Sequence, residues 1–147
     1  MNHSRKLLEC IVENARTGEY ACEQLMNKTA DDEMRRELAI EKKNYVEIAG
    51  EAEKRIEKMG LPVQHLDKMA RMGMWMGTQY NTMIDKTSTH IAEMLIEGAT
   101  MGIVAMTKAR NSCPDAEADI QGIASRFITC QQEAIERLKR VLRLQEA

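Results

Sequence analysis

The feature that most constrains the fold is a seam of mostly apolar residues that recurs every three or four positions near the C-terminus. Between about 114 and 144 the steps along this seam alternate between four and three, through Ile120, Ala124, Phe127, Gln131, Ala134, Leu138 and Val141. An α-helix has 3.6 residues per turn, so the seam lies on one helical face with the period of left-handed bundle packing. Because such a face needs other helices to cover it, the pattern predicts an α-helical bundle.

Three more segments carry the same kind of seam, and we predict helices over about 4–28, 32–59 and 89–110. Gly60 and Pro62 supply the stop after the second of these helices. The three seams consist of Leu7, Ile11, Asn14, Gly18, Cys22 and Leu25; Met34, Leu38, Glu41, Tyr45, Ile48, Ala52 and Ile56; and Ile91, Leu95, Gly98, Gly102 and Ala105. On the third helix, the glycines favour a close helical neighbour, since each costs about 1 kcal/mol of helix propensity.

Composition and charge limit the fold class and the functions that the sequence allows. The 147 residues include one Trp, one Phe and three Tyr, which is too few aromatic residues for most β-sandwich or barrel cores. The length predicts one domain over 1–147. A net charge of −2 argues against nucleic-acid binding, and no apolar stretch is long enough to span a membrane. The four cysteines form no C-x-x-C pair, so we interpret them as reduced thiols of a cytoplasmic protein.

The segment 63–88 between the second and third helices is also mostly helical by pattern. About 22 helical residues would cover roughly 33 Å, close to the length of the bundle. The connections after the first and third helices are short, so each of those pairs is expected to be antiparallel. Two antiparallel hairpins joined by one long helical crossover is the ferritin-like arrangement, and a plain five-helix array is the alternative.

Two motifs resemble the ferritin-like superfamily, and in particular its uncharacterised bacterial branches without the di-iron ligand motif. They are the segment from His90 to Ile103, HIAEMLIEGATMGI, and the segment 132–139, QEAIERLK. The resemblance implies an all-α, ferritin-like four-helix bundle. Active members of the superfamily hold two irons in the bundle core through a Glu from each of two helices and a Glu-x-x-His from each of the other two.

The sequence departs from that ligand pattern. It contains no Glu-x-x-His, and its histidines are His3, His65 and His90. The ligand positions on the four seams correspond instead to Asn14, Glu41, Gly98 and Gln131. Since neutral amides are poor iron ligands and good hydrogen-bond partners, we expect a metal-free core.

We therefore predict a polar core cluster formed by Asn14, Glu41, Tyr45 and Gln131, without a cofactor. A buried Glu41 would need such partners or a raised pKa. A degenerate single-metal site at Glu41 and an exposed Glu41 are the two alternatives.

One further group has metal-ligand spacing. His90, Glu93 and Glu97 lie on one flank of the third helix at i, i+3 and i+7, and His90 with Glu93 is a weak metal candidate. The flank lies about 80–140° from the middle of the apolar seam, so we interpret it as a solvated face.

Methionines cluster in the predicted crossover around a single tryptophan. Thioethers can bind Cu(I), and they also pack well at adaptable interfaces. Because methionines lie on opposite faces of this segment, we predict a homodimer through the crossover and the third helix. The predicted interface residues are Met72, Met74, Trp75 and Met76.

The basic residues near the C-terminus suit the end of a helix. Cations there complement the helix dipole, and we expect Arg137 to pair with Glu133 one turn earlier.

These features together predict a non-catalytic protein. The sequence shows no Ser-His-Asp set, phosphate-binding glycine loop or nucleotide fingerprint. The expected function is a homo-oligomeric structural or binding module without a di-iron centre. The alternative is a divergent iron- or copper-binding protein for storage or redox chemistry.

Overall fold

The part of the chain that the structure describes folds into four long α-helices. The computed structural model describes residues 2–63 and 85–146, and these ranges contain no β-strand. The helices are α1 (Asn2–Met26), α2 (Asp32–Lys58), α3 (Ser88–Ser112) and α4 (Ala118–Glu146). The predicted all-α class with four long helices is therefore confirmed. Most of the predicted crossover, with His65 and the proposed interface residues Met72, Met74, Trp75 and Met76, lies outside the described residues.

The helices begin and end where short polar residues and glycine can satisfy free backbone groups. The Asp31 side chain accepts from the Glu33 amide at 3.0 Å and so caps α2. At the other end of α2, Gly60 adopts a φ of 73°, and the amides of Gly60 and Leu61 bond to the carbonyls of Glu57 and Ile56. This is a Schellman motif, and only glycine adopts that φ without strain.

The predicted start of α4 at about 114 is four residues too early. Pro114 is followed by a turn in which the Ala116 amide donates to the Cys113 carbonyl at 3.2 Å. The amides of Ile120 and Gln121 both donate to the Glu117 carbonyl at 3.0 Å, so regular helix begins after Glu117. The Glu117 amide in turn donates to the Ser4 hydroxyl at 3.0 Å, which fixes this turn against the start of α1.

The interior contains two apolar clusters at opposite ends of the bundle. The Phe127 cluster combines the first half of α1, the second half of α2, the end of α3 and the first half of α4, and includes Leu7, Ile11, Ile56, Met106, Ile120 and Phe127. The Leu38 cluster combines the end of α1, the start of α2, the start of α3 and the end of α4, and includes Leu25, Met34, Leu38, Ile91, Leu95 and Leu138. Within each of the pairs α1–α2 and α3–α4 the helices are therefore antiparallel.

The starts of α2 and α3 lie side by side. The Ser88 hydroxyl donates to the Asp31 carboxylate, and this hydrogen bond lowers the pKa of Asp31. α2 ends in the Phe127 cluster, against which Leu61 and Val63 also pack. The axial positions of all four helices are thus fixed by side-chain contacts at both ends.

The face that α3 turns to the bundle overlaps the predicted seam at Ile91 and Leu95 but is rotated away from Gly98. Its buried side chains include Ile91, Leu95, Ala99 and Met106. Gly98 is exposed, and a Cβ atom placed there would meet nothing within 4 Å. The prediction of a close helical neighbour is wrong for Gly98 within the described residues, because the buried face is centred roughly 80° around the helix from it. It holds for Gly102, where a Cβ atom would meet the Phe127 ring of α4.

No helix in the described ranges combines the length and apolar character that a membrane span requires.

Candidate functional site

A tyrosine and a glutamine meet in the middle of the bundle. Tyr45 of α2 packs against both apolar clusters and so lies at the level between them. Its hydroxyl oxygen lies 2.9 Å from Oε1 and 2.8 Å from Nε2 of Gln131 on α4. Gln131 is only 2% exposed, so this contact satisfies an amide that would otherwise be costly to bury.

Glycines on the two other helices make room for this layer. A Cβ atom at Gly18 of α1 would lie 2.5 Å from the Tyr45 ring, so the ring packs directly on the α1 backbone. A Cβ atom at Gly102 of α3 would lie 3.4 Å from the Phe127 ring. The two rings are 6.2 Å apart between centroids. All four helices therefore contribute to one layer that is filled by aromatic and amide atoms.

A second polar cluster, the carboxyl–guanidinium cluster, consists of Glu37 and Glu41 of α2 and Arg137 of α4. Arg137 Nε donates to both Glu37 oxygens, at 2.7 and 3.0 Å. The side chain of Glu37 also hydrogen-bonds to that of Glu41, which is 4% exposed. One guanidinium thus faces two buried carboxyl groups one helical turn apart.

Glu41 is the protonated member of this cluster at neutral pH. Burial, followed by the charge of Glu37 and the hydrogen bond with it, raises the pKa of Glu41 from 4.5 to about 8, while Arg137 acts in the opposite direction. A neutral Glu41 can donate its proton to the Glu37 carboxylate. The positive charge of the guanidinium and one shared proton therefore balance the negative charge that the two carboxyl groups could carry.

Hydrogen bonding in this cluster is incomplete within the described part of the chain. Glu41 Oε2 and Arg137 Nη2 are both buried without a hydrogen-bond partner. Burying polar atoms in this way costs free energy, so the cluster is a source of instability as well as of specificity.

Two expectations about this region are wrong. The predicted polar core cluster contains one acid, Glu41, but the structure buries a second acid, Glu37, beside it. Arg137 does not pair with Glu133, which is exposed, but reaches across to Glu37 of α2. There the Nε–H of the guanidinium forms a bifurcated hydrogen bond to both oxygens of a nearly buried carboxylate. Water and salt screen this charge-assisted contact less than they screen a solvated i, i+4 pair.

The four residues predicted as one polar cluster are divided among three sites. Tyr45 and Gln131 bond to each other, and Glu41 belongs to the carboxyl–guanidinium cluster. The amide nitrogen of Asn14 donates to the Cys10 carbonyl at 2.9 Å and lies 3.4 Å from the Cys10 sulfur, within its own helix. An amide can satisfy its donor locally in this way, so Asn14 does not need a partner on α4.

The sequence pattern places neither Glu37 nor Arg137 in the interior. Both lie beside the predicted seams rather than on them, and their long side chains extend into the interior from these flanking positions. The signal that could have found them is the i, i+4 spacing of Glu37 and Glu41 together with a basic residue directly before the seam residue Leu138.

Cys22 of α1 lies close to the two acids. Burial raises the pKa of the Cys22 thiol well above its usual range, and the nearby charges of Glu41 and Glu37 raise it further. All four cysteines are free thiols. Because the thiolate is the reactive form, Cys22 is poorly suited to nucleophilic or metal-binding chemistry.

The weak metal candidates are not assembled into a site in the described ranges. His90 is half-buried in the first turn of α3, where its amide donates to the Thr87 hydroxyl at 3.3 Å, and Glu93 is exposed. Among residues 2–63 and 85–146, no group of three or more His, Cys, Asp or Glu side chains is placed to hold a metal ion.

No family model, no curated protein and no solved structure matches the chain. Over residues 2–63 and 85–146 the fold is an α-helical bundle of four long helices with an arginine-containing polar core.

Proposed function

We propose that the chain is a ferritin-like bundle without a di-iron centre, acting in the cytoplasm as a non-catalytic, homo-oligomeric structural or binding module. The observation that carries this proposal is the pairing of Arg137 with Glu37 beside the protonated Glu41. Interior carboxylates bind iron because their negative charge needs a cation. Here a guanidinium and a proton already supply the positive charge, and a metal ion would have to displace both.

The tyrosine layer supports the same proposal. The Tyr45 ring lies on the bare backbone at Gly18 and its hydroxyl bonds to Gln131. These groups lie midway between the two apolar clusters, at the level where a ferritin-like bundle would carry its ligands. A phenol bonded to a neutral amide favours a fixed helix register over metal binding.

The positions of the helix ends support the ferritin-like arrangement. α2 ends in the Phe127 cluster, whereas α3 begins in the Leu38 cluster beside Asp31. This placement of the two helix ends favours a connection that joins opposite ends of the bundle. A long crossover of this kind distinguishes a ferritin-like bundle from one with short loops only.

The test is the metal content of protein purified without chelator and then titrated anaerobically with Fe(II) and Cu(I). We expect less than stoichiometric metal for the wild type and no difference in Glu41→Ala or His90→Ala. Glu133→Ala, an exposed site on α4, is the matched control. Stoichiometric metal that is lost in Glu41→Ala or His90→Ala, but not in the control, would overturn the proposal in favour of a divergent metal protein.

A further inference from the structure

α3 has apolar residues on two nearly opposite faces. One face is buried against the bundle and includes Ile91, Leu95 and Met106. On the other side, Met101 is 61% exposed and Val104 is 49% exposed. A helix that is apolar on both sides is normally covered on both sides, so this second face points to a partner.

Met101 and Val104 belong to a regular seam, which we name the outer stripe of α3. The stripe is exposed at Glu97, Met101, Val104 and Lys108, whereas Met94 near its start packs partly against the Leu38 cluster. The residues of the stripe follow one another in steps of four, three, four, three and four: His90, Met94, Glu97, Met101, Val104 and Lys108. At 100° per residue they fall within roughly 80° of the helix circumference. This alternating spacing is the pattern that packs one helix along another.

The outer stripe is self-complementary in only one orientation. In an antiparallel pair with a twofold axis between positions 102 and 103, position 97 of one helix lies opposite position 108 of the other, and position 101 lies opposite 104. Each exposed Glu97 then faces a Lys108, and each Met101 faces a Val104. A parallel pair would place Glu97 against Glu97 and Lys108 against Lys108, which is repulsive.

Both charged residues are available for such a contact. Glu97 and Lys108 are exposed, and neither forms an ion pair within the part of the chain that the structure describes. Gly98 is also exposed, with open space around it, so nothing protrudes beside the stripe at that position.

We propose that a second copy of the chain packs on the outer stripe of α3, with the two α3 helices antiparallel about this twofold axis. The proposal rests on the homo-oligomeric part of the proposed function and specifies its interface. A twofold contact uses the same patch on both copies, which is the commonest symmetry of soluble oligomers. One helix pair is smaller than a standard interface of roughly 1,600 Å², so we expect a concentration-dependent dimer.

The test is sedimentation equilibrium of the full chain at loading concentrations from about 1 to about 100 µM. We expect the wild type to approach twice the chain mass of 16.7 kDa at the upper end. Glu97→Lys and Lys108→Glu should each raise the dissociation constant by about tenfold, because each places two like-charged pairs across the axis. The double reversal restores opposite charges and should restore the dimer.

Glu57→Lys, which makes the same charge change at an exposed site on α2, is the control and should leave the dimer unchanged. A dimer that both single reversals leave intact overturns this interface while the homo-oligomeric proposal stands. A protein that stays monomeric at every concentration overturns both the α3–α3 interface and the homo-oligomeric proposal. In that case the outer stripe is covered by something other than a second copy, such as the chain between α2 and α3. Metal analysis is independent of these outcomes.

Discussion

Replacing Glu41 by glutamine should change how the stability of the protein depends on pH. Glutamine has the shape of a protonated glutamate and cannot ionise, so Glu41→Gln keeps position 41 uncharged at every pH. In the wild type, the carboxyl group stays protonated in the folded chain up to about pH 8 but loses its proton above pH 4.5 once the chain unfolds. Between these values the folded state binds the extra proton.

The sign and size of the effect follow from proton linkage. Because the folded state holds more protons at Glu41 than the unfolded state does in this window, the contribution of Glu41 to the free energy of unfolding falls as pH rises, by about 1.4 kcal/mol per pH unit. The stability contributed by the protonated form is complete below pH 4.5. By pH 7 the ionisable group has cost about 3 kcal/mol, a large share of the stability of an ordinary domain.

The assay is urea unfolding followed by circular dichroism, for wild type and Glu41→Gln, from about pH 5 to about pH 8. The difference in unfolding free energy should increase in favour of the variant by about 1.4 kcal/mol per pH unit. Any hydrogen bond that glutamine makes less well changes the offset between the two curves but not this slope.

Glu133→Gln, at an exposed position on α4, is the control and should follow the wild-type pH dependence. Wild-type and Glu41→Gln curves that run parallel to within about 0.5 kcal/mol would show that Glu41 does not keep its proton, and would refute the charge balance described above.

Three other substitutions or reactions test the interior. Gly18→Ala should destabilise the fold by about 1–3 kcal/mol in urea unfolding, because the new methyl group overlaps the Tyr45 ring, whereas Gly98→Ala in open space should not destabilise it. Tyr45→Phe should cost about 1–2 kcal/mol, since it leaves the buried Gln131 amide without its partner, and an unchanged stability would contradict the hydrogen bond. The Cys22 thiol should react with DTNB only as fast as the protein unfolds, and rapid labelling in native buffer would contradict its burial and raised pKa.

The sequence predicts the helical architecture well because its periodicity is regular. The seam residues Leu38, Ile120 and Leu138 are all buried, as the spacing indicates. The start of α4 is harder to predict, because the hydrogen bonds that begin the helix at Glu117 depend on the contact of this turn with Ser4 on α1. Such a long-range contact leaves no local signal.

The site is less predictable, because a seam records which way a residue faces and not how far its side chain reaches. Tyr45 and Gln131 lie on the predicted seams, yet their contact depends on the axial offset between α2 and α4. That offset is fixed by packing at both ends of the bundle. Arg137 lies beside its seam and reaches the interior only through its length.

The most direct measurement of the charge balance is anomalous X-ray diffraction from crystals soaked anaerobically with Fe(II). We expect density for the Arg137 guanidinium against Glu37 and no anomalous peak between Glu37 and Glu41. A metal peak that bridges the two carboxyl groups, with Arg137 displaced from Glu37, would contradict a core neutralised by an arginine and a proton.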